Sequence, residues 1–338
     1  MAFRHTSRAL GALSLLTVLT VVGTTGDAGA DAWTRVIING ISVPVSFNDG
    51  DSFRVQAGEY SGSQCRLGGF NTLESFGPAH QWGDWHPYEL YINAKLATLN
   101  GRRGLWHCVT DGSRDGYGRI LMDCPDLAVD QIRRGYAQAY QIDDSPARPE
   151  YLRAQQEAIR EHRGMWAHGV PEFVMTSAHS FDEDRSREWH YNRLVSTRDG
   201  HTESMQHRDT YSECQWVCNT EIIADPLATR AVARQLRADP ELAPLLSEWT
   251  NLELIEFATR FARRGELPAY ATGPSHDLLL ARLTEERAAG HLGATHEEPG
   301  ACFLYVDFTR RYGRARASCL EGHGTLPPHV VDHWHGAH

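Results

Sequence analysis

Alternating apolar and polar positions begin at residue 36. Residues 36–45 (VIINGISVPV) alternate on both sides of Asn39-Gly40, which predicts two strands joined by a tight turn. Residues 47–55 and 64–70 extend the same sheet. The period then becomes helical. Residues 88–99 predict a helix that stops at Asn100-Gly101. Residues 104–110 and 119–124 read as a hairpin closed by the turn at 111–118. Residues 127–136 and 149–162 read as two more helices, the second ended by Gly164, with Trp166 packing back. Five strands and three helices in this order fit a β-barrel of the OB-fold type.

The second half has a different pattern. Residues 171–185 are polar without a clear period and read as a linker. Residues 186–338 read as a smaller accessory α+β domain. Asp225-Pro226 starts a helix, with aspartate as cap and proline in the first turn. Leu252, Ile255, Ala258 and Ala262 recur at helical spacing ahead of Gly265. Residues 275–289 predict a further helix, and 302–308 and 314–320 predict two strands. The expected organisation is residues 31–170 as the barrel, 171–185 as the linker and 186–338 as the accessory domain.

The first 30 residues stand apart. Arg4 and Arg8 precede an apolar run at 10–22, and Ala28-Gly29-Ala30 offers small residues for cleavage after Ala30. The run is short of the ~20 residues that span a bilayer. A cleaved secretory signal is therefore expected, giving a secreted or periplasmic protein with no membrane segment in the mature form, and a monomer. An oxidising compartment puts the seven cysteines in a new light. Cys108 and Cys124 flank the 111–118 turn and are expected to pair. Cys302 and Cys319 flank a similar hairpin and form a second expected pair. Cys65 is left as the odd thiol or as a core residue. Cys214-x-x-x-Cys218, with His201 and His207 upstream, has the residues of a zinc site, but its spacing is not that of a zinc finger.

With 338 residues, 41% hydrophobic and 22% charged, the chain has an ordinary globular composition. The net charge of −10 excludes a generic basic nucleic-acid surface. That charge is uneven, about −2 over 33–170 and about −8 over 171–338. Any contact with nucleic acid must then rest on local arginines in a cleft.

Such a set occurs between residues 47 and 119. Asp49-Gly50-Asp51-Ser52 heads one strand. Arg66-Leu67 lies on the next, with Asn71-Thr72-Leu73-Glu74 after it. Asp115-Gly116-Tyr117-Gly118-Arg119 forms a tight turn further on. Carboxylates brought together at a sheet end can hold a hard cation, and paired guanidinium N–H groups can grip a phosphate.

These pieces, in this order, resemble the staphylococcal nuclease (thermonuclease) family over residues 36–170. The resemblance implies the OB-type barrel and a calcium-dependent phosphodiesterase acting on DNA and RNA with water as nucleophile. It implies Glu74 as the group that orients or deprotonates the water, and Arg66 and Arg119 as the phosphate clamp. Asp51, Asn71 and the Thr72 carbonyl become the metal ligands. Two positions depart from the family pattern: Asn71 replaces an aspartate and Leu73 replaces a proline. The carboxamide predicts weak calcium binding, with Mg2+ or Mn2+ as the alternative cation. Tyr117 and Trp82 are candidate stacking faces for bases. The rival expectation is a non-catalytic module that binds nucleic acid or protein.

Overall fold

The computed structural model describes residues 34–74 and 80–307. The signal-like segment at 1–30, Cys319 and the strand expected at 314–320 lie outside those residues. Strands β1 (Thr34–Ile38) and β2 (Ile41–Phe47) form the expected antiparallel hairpin around Asn39-Gly40. β3 (Ser52–Val55) and β4 (Gln64–Leu67) continue the sheet in antiparallel order. β5 (Phe70–Thr72) leaves it, and β6 (His80–Gln81) follows. Helix α1 (Pro87–Arg103) then leads to β7 (Trp106–Cys108) and β8 (Ile120–Met122). Helix α2 (Pro125–Arg133), β9 (Ala137–Ala139) and α3 (Pro149–Arg160) complete this part.

The sheet is a curled, half-barrel mixed sheet of six strands in the order β7-β1-β2-β3-β4-β8. The hairpin expected from 104–124 is corrected here. β7 pairs parallel with β1 and β8 pairs parallel with β4, at opposite edges of the sheet. Just past the two strands, Val109 and Asp123 exchange backbone hydrogen bonds of 2.8 and 2.9 Å. The Cys108–Cys124 disulfide, as expected, ties the two edges beside that bridge. Apolar side chains of the concave face, among them Val36, Phe47, Phe53 and Leu67, are buried with Leu127 and Ile132 of α2 and Tyr151 of α3. Cys65 is a buried free thiol in the same core. Burial pushes it up to about 11.

Helix α1 runs past the stop expected at Asn100-Gly101. Gly101 serves close packing, since a Cβ there would lie 2.8 Å from the Phe47 ring. Asn100 Nδ2 meanwhile donates to Asp130 Oδ2 at 2.7 Å.

Residues 171–185 are not a linker in form. They contain β10 (Phe173–Ser177), a strand buried along its whole length. Its start is pinned by Glu221, whose two oxygens each accept a backbone N–H, from Glu172 and Phe173, at 2.9 Å. The sequence of this strand (FVMTS) has too short a period to stand out among polar neighbours. β11 (His190–Ser196) and β12 (Thr202–His207) pair antiparallel with it in sequence order. β13 (Trp216–Ile223) follows, then helices α4 (Pro226–Ala238), α5 (Asn251–Arg264) and α6 (His276–Ala288), and finally β14 (His296–Leu304). The Asp225 cap and the Gly265 stop hold as expected. The buried stripe of α5 is Leu254, Phe257, Ala258 and Phe261, spaced i, i+3, i+4, i+7; Leu252 is exposed.

Backbone pairing crosses the expected boundary. β14 lies between β13 and β6, so Phe303 stands opposite His80. Gln141 N–H donates to the Gly200 carbonyl and Thr202 N–H to the Asp143 carbonyl, both at 2.8 Å. Cys302 is disulfide-bonded to Cys218 across β13 and β14, which corrects the expected Cys302–Cys319 pair. Cys214 is disulfide-bonded too, so the zinc reading of Cys214 and Cys218 fails. Among the described residues no helix is long and apolar enough to cross a membrane. The disulfides are consistent with an extracellular location.

Candidate active site

Antiparallel pairing of β3 and β4 sets Ser52 opposite Arg66, and this brings Asp51 to the guanidinium. Asp51 Oδ1 accepts from Arg66 Nη1 at 2.5 Å. Its other oxygen accepts the backbone N–H of Thr72 at 2.8 Å. Arg66 Nη2 reaches the Asn71 side-chain oxygen at 2.7 Å, and Asn71 Nδ2 donates to the Thr72 carbonyl at 2.9 Å. Gly50 permits this convergence. A Cβ on it would lie 2.5 Å from Thr72 Cγ2 and 2.6 Å from Ala97 Cβ.

The charges do not balance locally. Burial first, then the charges of Asp51 and Glu74, hold the Asp49 carboxyl well above the usual range. Burial works against the Arg66 charge, but Asp51, Asp49 and Glu74 more than offset it and raise its pKa. Arg66 also lies over the Tyr140 ring, 5.9 Å from its centroid.

The second arginine is set by the turn at 115–118. Asp115 Oδ2 accepts from Arg119 Nε at 2.7 Å, and its Oδ1 accepts the Tyr117 and Arg119 backbone N–H groups. Burial opposes the Asp115 charge, but these bonds keep its carboxyl below the usual range. Arg119 lies 5.5 Å from the centroid of the Tyr117 ring, which is 67% exposed.

One cleft of about 1380 Å³ unites these groups. Arg66, Asn71, Glu74, Tyr117 and Arg119 line it, together with Asp49 and Tyr140. Asp51 and Thr72 stand behind the lining, buried. Trp82 is not part of it. Its side chain is in the core beside Trp166, with its indole N–H donating to the Gly169 carbonyl at 3.1 Å. An apolar ring flanked by small and polar residues in a long loop looks exposed in sequence, and the β6–β14 pairing buries it here. Sequence reasoning also missed the opposite wall. Thr176 and Ser177 of β10, His179 just after it, and Tyr191 and Arg193 of β11 line the same cleft. They belong to no motif and lie more than 50 residues beyond Arg119 in sequence.

A second cluster lies away from this cleft. Asp199, His201 and Glu256 offer ligand atoms within 4.8 Å of one another and could hold a metal ion. His201 Nδ1 lies 2.5 Å from Asp199 Oδ1, and Nε2 lies 3.2 Å from Glu203 Oε1. Burial disfavours the imidazolium, but the two carboxylates outweigh it and push His201 up to about 10. Arg198 pairs with Glu256 at 3.1 Å, and Arg264 pairs with Glu203.

No protein-family profile matches this chain, and no curated protein matches it. The site must therefore be read from its own chemistry.

Proposed function

We propose that this protein is a secreted nuclease that hydrolyses phosphodiester bonds of DNA and RNA with water as nucleophile. The observation that carries the reading is that two guanidiniums and a carboxylate, Arg66, Arg119 and Glu74, share one cleft. Phosphoryl transfer needs a placed nucleophile and fixed positive charge on the equatorial oxygens. Glu74 orients the water and takes its proton as the oxygen attacks phosphorus. Arg66 and Arg119 donate N–H groups to the phosphate oxygens as the bond to the leaving oxygen breaks. Both guanidiniums are oriented in advance, Arg66 by Asp51 and Asn71, Arg119 by Asp115. Tyr117 offers an exposed face on which a base can stack. The curled sheet that carries these residues is, in this reading, an elaborated OB-type barrel.

Calcium belongs to the same proposal, with Mg2+ or Mn2+ as alternatives. The donor set has the right chemistry. Asp51, the Asn71 side-chain oxygen and the Thr72 carbonyl are hard oxygens, and Asp49 and Glu74 add negative charge beside them. A cation held there would supply charge relief at the phosphate. Each of these oxygens already accepts a hydrogen bond, two of them from Arg66, so the cation competes with the guanidinium and binds weakly.

The rival reading is a non-catalytic binding module. It draws on the same pairing, because Arg66 and Arg119 are both neutralised by aspartates. A gel assay of the mature chain on single-stranded DNA, with calcium and with chelator, separates the two. Cleavage that is abolished by chelator supports the nuclease. Stable retention of intact DNA supports the module.

A further inference from the structure

We propose that Ser177 and Arg193 form a second phosphate-binding subsite on the far wall of the cleft. It takes a backbone phosphate that flanks the scissile one, so the preferred substrate is a strand of several nucleotides. This rests on the phosphodiester reading of the same cleft.

The local fold builds the pair deliberately. Met175 stands opposite Leu194, and both are buried in the core behind the sheet. Strict alternation would send Ser177 to that same core face. A bulge between Met175 and Ser177 shifts the register, so Ser177 stands opposite Arg193 instead. Residues opposite each other in an antiparallel pair share a face, and both line the cleft.

Each side chain has unused hydrogen-bonding capacity. Ser177 is 8% exposed, and its buried Oγ has no hydrogen-bond partner among the described residues. A buried hydroxyl left unpaired is costly, and a ligand acceptor would satisfy it. The cleft arginines differ in the same respect. Arg66, Arg119 and Arg148 each pair with an aspartate, at 2.5, 2.7 and 2.8 Å, and Arg54 donates to the Gly62 carbonyl at 2.7 Å. Among the described residues Arg193 pairs with no carboxylate. It donates to the Tyr191 hydroxyl at 3.2 Å and lies 5.7 Å from the centroid of that ring. Tyr191 therefore positions the guanidinium and leaves most of its five N–H donors for an anion. A hydroxyl and an unneutralised guanidinium side by side match one phosphate group.

The test uses a labelled single-stranded DNA ten-mer and a dinucleotide with the full mature chain. Binding is read by fluorescence anisotropy across a salt series, and hydrolysis by kcat/KM on both lengths. Arg193→Ala is expected to raise Kd for the ten-mer about ten-fold and to shallow the salt slope by about 0.7. The preference for ten-mer over dinucleotide should shrink by a similar factor. Ser177→Ala should weaken ten-mer binding about three-fold, and Arg193→Lys should restore the salt slope but not the full affinity. These two conservative variants carry the test if Arg193→Ala melts early. Unchanged Kd and slope in well-folded Arg193→Ala would overturn the subsite, as would equal losses on both lengths. If the ten-mer binds with an Arg193-dependent slope yet is never cut, the subsite stands and the hydrolytic reading falls. If both lengths are cut but the ten-mer gains nothing from Arg193, the reverse holds.

Discussion

The Asp51 carboxylate accepts from the Arg66 guanidinium at 2.5 Å while its second oxygen holds the Thr72 backbone at 2.8 Å. One carboxylate thus locks the Arg66 guanidinium and the strand that carries Asn71. Its removal should cost stability as well as activity. Asp51→Asn removes the carboxylate that pairs directly with the partly buried Arg66, and the expected loss is about 2–3 kcal/mol. A urea titration should show a lower midpoint with the same slope. A wild-type midpoint would mean the pair contributes nothing to the fold.

The Asn71 side-chain oxygen accepts from Arg66 Nη2 at 2.7 Å. Asn71→Asp adds a charge without changing the shape of the side chain. Calcium affinity rises with the number of charged ligands. The variant should reach half its maximal rate at a lower calcium concentration than the wild type, in a chelator-stripped background. An identical calcium requirement would remove Asn71 from the metal shell.

His201 gives a pH dependence with a definite sign. Its folded pKa of about 10 lies above the ordinary value of 6.5. The stability it contributes is fully present below ~6.5 and is lost as pH rises through ~10. The free energy of unfolding should therefore fall between pH 7 and pH 10, by up to about 1.4 kcal/mol per pH unit. His201→Gln should flatten that fall. An equally steep fall in the variant would assign it to other groups.

Residues 31–170 should not fold well when cut from the rest. Trp82, Leu90 and Trp166 share a core cluster with Val174 and Ala301, and β6 finds its partner in β14. A chain ending at 170 exposes that cluster and should aggregate or melt well below the full-length protein. A soluble fragment with the full-length melting temperature would show that the two halves are energetically independent.

Much of the first half was legible in the sequence because its signals are local. The Asn39-Gly40 turn and the Asp115 turn each act within a few residues. The clustering of Arg66, Glu74 and Arg119 in one cleft followed from their motifs alone. What the sequence hid is long-range. Nothing near Trp82 announces that β14 will cover it, and nothing in FVMTS announces a buried strand. Asn100-Gly101 resembles a stop, yet Gly101 is small to admit Phe47. The bulge that turns Ser177 toward the cleft has no local signature either.

The central claim is that Glu74 and Arg119 carry phosphodiester hydrolysis. The most direct measurement is turnover of single-stranded DNA by Glu74→Gln and Arg119→Ala beside the wild type, with urea midpoints taken on the same samples. Losing a positioned base or a phosphate clamp should cost about 10²-fold or more in kcat. Glu74 and Arg119 line the cleft rather than the core, so both variants should keep near-wild-type midpoints. Full activity in either variant would contradict the account, as would a wild-type protein that binds DNA and never cleaves it.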